Sequence, residues 1–141
     1  MTAASSLASW SIALDTQQIA QRIAEIAVER KALDVITLDI TGRSSYADYL
    51  VIASGTSDRH VQSIAELVES TLAKEDGVRS IGREGLREGQ WALIDFGGVV
   101  LHVFHQFTRQ SFDLESLWKT APKRLAPGSE RAAEHPIDAP H

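Results

Sequence analysis

The alternation of apolar and polar positions divides the chain into short elements. Asp15 or Thr16 can cap a helix, and Ile19, Ile23, Ile26 and Ala27 follow as one stripe at helical spacing. In the run from Val35 to Ile40, the residues Ile36, Leu38 and Ile40 share one face, which predicts a half-buried strand. Gly42 to Ser45 reads as a turn, and Tyr49 to Ala53 is continuously apolar, as in a central strand covered on both faces. A second helix starts at Ser57, carries Val61, Ile64, Ala65, Val68 and Leu72 on one side, and ends near Asp76 and Gly77. Val78 to Ile81 suggests a short strand, and Gly82 to Gln90 a polar, Gly-bearing loop. Trp91 to Phe96 and Val99 to Phe104 flank Gly97-Gly98, the pattern of a tight hairpin. Asp113 to Trp118 reads as a short helix capped by Asp113. The order is α-β-β-α-β-β-β-α, which predicts an α/β domain: a mixed sheet with packed helices.

The ends differ from this middle. Met1 to Leu14 is small and polar without a period, and all four prolines lie between Pro122 and Pro140. The expected organisation is a flexible 1–15, a folded domain over 16–122 and a disordered tail over 123–141.

The two-residue turn sets the register of the hairpin. Trp91 then opposes Phe104, Leu93 opposes His102 and Phe96 opposes Val99. One face carries Ala92, Ile94, Phe96, Val99, Leu101 and Val103, all apolar, and belongs to the core. The other carries Trp91, Leu93, Asp95, Val100, His102 and Phe104. Deep burial would leave Asp95 in need of a partner, yet the face is too apolar for bare solvent. Two readings stand: a partner surface, or a face covered by another helix with Asp95 paired locally.

Composition narrows the chemistry. The 141 residues hold 43% hydrophobic and 23% charged positions, and no run is long enough to span a membrane. With no cysteine, disulfides, thiol catalysis and Cys-ligated metals are excluded. The first fifteen residues lack the pattern of a signal peptide, so a cytoplasmic setting is expected. Fourteen Lys and Arg against nineteen Asp and Glu give a net charge of −5, which fits a basic protein partner better than naked nucleic acid. The interleaving of Arg79, Arg83 and Arg87 with Glu84 and Glu88 predicts a solvated charged loop. No sequence-specific nucleic-acid contact is expected.

Catalytic motifs fail one by one. Asp95-Phe96-Gly97 matches a kinase magnesium motif in letters only, without a Gly-rich or catalytic loop before it. His102 and His105 point to opposite faces of a strand and cannot clasp one metal. His60, in the first turn of its helix, is expected to be solvated. The strand–loop–helix junction at Ser54, Gly55, Thr56 and Ser57 has the look of a phosphate cradle. It lacks the Lys of a Walker loop and any Asp-x-Asp for two metal ions. The junction alone supports a turn and a capped helix entry; no catalytic residue, cofactor or metal is assigned.

Several segments together resemble the ribosomal silencing factor family, also called Iojap-like. They are Ala47 to Ala65, preceded by Tyr46 in the family's aromatic-Ala-Asp-Tyr pattern; Arg83 to Leu86; Trp91 to Gly97; Val99 to Phe104; Arg109; and Asp113 to Trp118. The resemblance covers about Ile19 to Pro122. Gly98 departs from it, since many members carry a polar or acidic residue there; only the turn is expected to feel this. The resemblance implies a nucleotidyltransferase-like fold lacking the catalytic carboxylates, and no enzyme activity. It implies binding to the large ribosomal subunit through its protein fourteen, a block of subunit joining, and repression of translation under nutrient limitation. It also suggests dimers for free members and a bacterial cytoplasmic protein. With it, the candidate partner-binding set becomes Trp91, Leu93, Asp95, His102 and Phe104, joined by Leu86 and Arg109. The alternative is a nucleotide-binding enzyme of nucleotidyltransferase descent.

Overall fold

The computed structural model describes residues 14–131. In chain order the elements are α1 (Thr16–Glu29), β1 (Leu33–Asp39), β2 (Tyr49–Gly55), α2 (Asp58–Thr71), β3 (Gly82–Glu84), β4 (Trp91–Asp95), β5 (Val99–His105), α3 (Gln106–Phe112) and β6 (Lys123–Leu125). A π-helical turn over Leu72–Asp76 extends α2, and a 3₁₀ turn over Leu114–Trp118 follows α3.

The six strands form one mixed sheet in the order β3-β4-β5-β2-β1-β6. Only β2 and β5 run parallel; the other pairs are antiparallel. The two apolar runs of the sequence thus meet at the centre, where β2 is buried from Leu50 through Gly55. Helices α1 and α2 cover one face. Ile23, Ile26 and Ala27 of α1 and Val61, Ile64 and Val68 of α2 close over Val51, Ala53, Ile94, Leu101 and Val103. Across the sheet Ile36, Leu38, Ile40, Leu50, Ile52, Val100 and Phe104 form a second cluster. Trp91, Leu93, Leu114 and Trp118 pack at its margin.

Local chemistry explains the helix ends. Asp15 accepts from Gln18 N–H at 2.8 Å while Gln18 Oε1 accepts from Asp15 N–H at 3.0 Å, a reciprocal cap. Ser57 Oγ accepts from His60 N–H at 3.0 Å at the start of α2. Gly77, in a left-handed conformation, stops the π-helical turn. The Asp of the Tyr46-Ala47-Asp48-Tyr49 motif joins three elements. Its carbonyl accepts from Ile40, its N–H donates to the Gly98 carbonyl, and its carboxylate accepts from Thr16 Oγ1 at 3.1 Å.

The structure differs from the sequence expectations at several places, among them Asp113 to Trp118, which is a 3₁₀ turn that Asp113 does not cap through its side chain. Val78 to Ile81 is not a strand; β3 begins at Gly82 inside the stretch expected to be loop. All three of its residues are exposed, so no apolar alternation marks it, and pairing with β4 alone makes it a strand. Helix α3 has Arg109 as its buried residue, a pattern that apolar periodicity cannot detect. The region expected to be a disordered tail contributes β6, which pairs with β1. Beyond it Ala126 is buried, Val35 N–H donates to Ser129 Oγ and Asp34 N–H donates to the Glu130 carbonyl. Backbone pairing needs no apolar side chain, and Pro127 sits in the turn between the β6 ladder and the Leu33–Glu130 bridge, where no ladder bond needs its missing N–H. Residues 1–13 and 132–141, the remainder of the expected flexible ends, lie outside the described residues. Finally, Gly98 matters beyond its turn: a Cβ there would stand 2.4 Å from Thr16 Cγ2, so a side chain at 98 pushes on the start of α1.

Candidate partner surface on the hairpin

Strands β4 and β5 have the expected register, with Trp91 opposite Phe104, Leu93 opposite His102 and Ile94 opposite Leu101. The positive φ of Gly97 makes the two-residue turn feasible. Ala92, Ile94, Phe96, Val99, Leu101 and Val103 all face the helices and join the core, as expected.

The mixed face contains an aromatic stack. Trp91 lies over Phe104 with ring centroids 5.3 Å apart and over Phe112 at 4.6 Å, and His102 stacks beside it at 5.8 Å. The Trp91 indole N–H donates to His102 Nδ1 at 3.0 Å. An indole N–H can only donate, so the imidazole is the neutral tautomer with its proton on Nε2. His102 is only 7% exposed, and burial, which penalises the charged ring, pushes its pKa down to about 4. Asp95 Oδ1 accepts from Gly97 N–H at 2.8 Å, the local pairing its position demanded.

The protein's own residues cover this face in part. Phe104 is fully buried beneath Trp91 and Phe112, and Val100 and His102 are buried too. Trp91, Leu93 and Asp95 remain partly open, and Phe112 of α3 is 51% exposed above the stack. Of the seven candidate residues, Trp91, Leu93, Asp95, His102 and Phe104 therefore come together, with Phe104 and His102 as the floor. Leu86 packs against the helix-side core, on the other side of the sheet. Phe112 escaped sequence reasoning because α3 has no apolar period to announce it.

Arg109 is separated from this face by its hydrogen bonds. Its Nη1 donates to Ser54 Oγ and to the Asp34 carbonyl, both at 2.8 Å, and the remaining fork meets the two Glu115 carboxylate oxygens at 3.2 and 3.3 Å. The side chain is 10% exposed. The guanidinium ties together the ends of β1 and β2, α3 and the 3₁₀ turn.

The strand–loop–helix junction is filled by the protein's own groups. Thr56 N–H donates to His60 Nδ1 at 2.9 Å, and His60 Nε2 then donates to the Arg30 carbonyl at 2.9 Å. His60 is thus a bridge between α1 and α2 rather than a free, solvated side chain. Asp58 accepts from Gln90 at 2.6 Å, and Gly89 lies so close that a Cβ there would be 2.6 Å from the Asp58 carbonyl oxygen. A phosphate seeking the amides of Thr56 and His60 would compete with His60 and Ser57 for them. Among the described residues, no group of three or more His, Cys, Asp or Glu could hold a metal ion. No helix among them is long and apolar enough to cross a membrane.

A single six-stranded mixed sheet, a capped loop filled by its own side chains and an aromatic hairpin face define the class of α/β domain. Comparison with known proteins gives its family. The family described as "Ribosomal silencing factor during starvation" matches residues 13–140. The chain is 43% identical over 94 residues to the ribosomal silencing factor RsfS of Bacillus subtilis, covering 67% of this chain and 79% of that one. It is 31% identical over 94 residues to the mouse protein "Mitochondrial assembly of ribosomal large subunit protein 1", covering 64% of this chain and 40% of that one. A crystal structure of a Chromobacterium violaceum protein superposes with a TM-score of 0.73 at 34% identity, covering 82% of this chain and 96% of that one. The chain belongs to the ribosomal silencing factor family.

Proposed function

We propose that this chain acts in the cytoplasm as a ribosomal silencing factor that binds the large subunit through its protein fourteen. Its bulk on that face blocks docking of the small subunit and lowers translation when nutrients are short. The observation that carries the reading is the half-open aromatic stack of Trp91 with exposed Phe112 on an otherwise well-buried sheet face. Binding energy concentrates in such aromatic anchors. The net charge of −5 supports a basic partner. The family's printed description, which names starvation, and the large-subunit name of the mouse relative support the same setting. Of the candidate contacts, Trp91, Leu93 and Asp95 meet the partner while Phe104 and His102 support them; Leu86 and Arg109 act from outside this patch. Free of the ribosome, the chain pairs with itself through the same face, because an apolar patch without its partner favours an isologous dimer.

The test is co-sedimentation with isolated large subunits, paired with a subunit-joining assay. Trp91→Ala should weaken binding about thirtyfold, since an aromatic hot spot is worth roughly 2 kcal/mol. Binding and blocking as strong as the parent's would refute the assignment of this face.

The reading includes descent from a nucleotidyltransferase-like fold without catalysis, the junction at Ser54 to Ser57 being a turn that no longer needs a nucleotide. A second reading, residual nucleotide binding, has one observation in its favour: a groove of about 780 Å³ beside Ser54 and Arg109 that Lys123 and Arg131 also line, although Asp34, Asp113 and Glu115 line it too and oppose a phosphate. Thermal shift with nucleoside triphosphates and magnesium separates the two, because a true ligand must raise the melting temperature.

A further inference from the structure

Stacking alone does not orient Trp91. The indole packs on Phe104 with ring centroids 5.3 Å apart and against Phe112 at 4.6 Å, and those two rings stand 5.7 Å from each other, so the three close a triangle of apolar contacts in which no ring accepts the indole N–H. The orientation of the ring about its Cβ–Cγ bond points Nε1 at His102 Nδ1, 3.0 Å away. The register explains why His102 can reach: it stands opposite Leu93, diagonal to Trp91, on the same side of the hairpin. Nδ1 can accept only while the imidazole is neutral, and the burial of His102 maintains that state through the physiological pH range. Its neighbours across the ladders are Leu93 and Ile52, and the rings beside it are Trp91 and Phe104, none of which titrates in that range.

We propose that His102 is the positioning residue of the docking face: its Nδ1 holds the Trp91 indole in one flip, so that a partner protein always meets the same ring edge. This rests on the docking reading above. A ring free to flip would have to be ordered on binding, and the cost would appear as weaker affinity.

The experiment uses the full chain labelled with 5-fluorotryptophan, the Trp91 resonance being assigned by its loss in Trp91→Phe. The parent should give one sharp Trp91 signal. His102→Phe keeps a ring but removes the acceptor. Its Trp91 signal should shift and broaden or double, and affinity for large subunits should fall about tenfold, the order expected for one well-placed hydrogen bond. His102→Asn, whose Oδ1 can replace Nδ1, should restore a single signal and most of the affinity. A single unshifted signal in His102→Phe overturns the positioning itself, and so does an Asn variant as impaired as the Phe variant. A split signal with parental affinity overturns the proposal at the docking reading instead. Should His102→Phe fail to fold, the parent still decides. The Trp91 indole N–H should exchange with solvent at least tenfold more slowly than a free indole, and exchange at the free rate refutes the bond.

Discussion

Replacing Arg109 by Ala would remove the guanidinium that joins four segments of the fold. The loss can be worked out bond by bond. Two 2.8 Å bonds disappear, to Ser54 Oγ and the Asp34 carbonyl, together with both contacts to Glu115. The net worth of such a pair is modest, but deletion of one partner leaves a carboxylate and a buried hydroxyl without their donor. Truncating a buried charge pair typically costs 3–5 kcal/mol; with Glu115 31% exposed and able to recover some water, about 3 kcal/mol is the expectation. For a domain of this size that corresponds to roughly 10 °C in melting temperature. Arg109→Lys retains the charge but cannot form the fork, and should fall between Ala and the parent. Thermal and urea denaturation of both variants, read beside their affinity for large subunits, is the assay. A double-mutant cycle with Glu115→Ala should show coupling, because the pair acts as one unit. The reasoning is refuted if Arg109→Ala melts within about 2 °C of the parent. A stable variant with tenfold weaker subunit binding would further mean that Arg109 is a contact residue, as the sequence motif suggested.

Three further expectations follow from the same geometry. His102 has its pKa lowered in the folded state to about 4 against an ordinary 6.5, so between those values the unfolded chain binds the extra proton and stability falls as pH drops. At 1.36 kcal/mol per pH unit the full loss is about 3 kcal/mol. Urea titrations at pH 7 and pH 4.5 should show His102→Asn with a flatter dependence than the parent, and parallel curves would contradict the buried neutral imidazole. Gly98→Ala should cost about 1–2 kcal/mol through its collision with Thr16 Cγ2, and Thr16→Ser, which lacks that methyl, should recover most of it in the double variant. Truncation after Pro122 should lower the melting temperature sharply, since β6, Ala126, Ser129 and Glu130 all bond or pack against β1; an unchanged melting curve would mean that this strand contributes nothing.

Periodicity alone was sufficient wherever a side chain's burial dictated the element. The stripe of α1, the continuous apolar run of β2 and the alternation of β4 and β5 were legible because each buries one face, and a shift by one position would expose the whole set. The Gly97-Gly98 turn carried the register of the hairpin, and with it the grouping of Trp91, Leu93, Asp95, His102 and Phe104. Elements held by backbone or charge were not legible. The exposed β3, the β6 strand and α3 are each placed by a partner distant in sequence, and no local pattern encodes the presence of that partner. Likewise, the motif residues Arg109 and Leu86 read as equals of Trp91 in the sequence. Only the tertiary structure decides that Arg109 spends its hydrogen bonds inside the fold, that Leu86 faces the other layer, and that Phe112 takes its place over the aromatic stack. The physical reason is that a residue's type sets what it can bond to, whereas its neighbours in space decide which of those bonds are already taken.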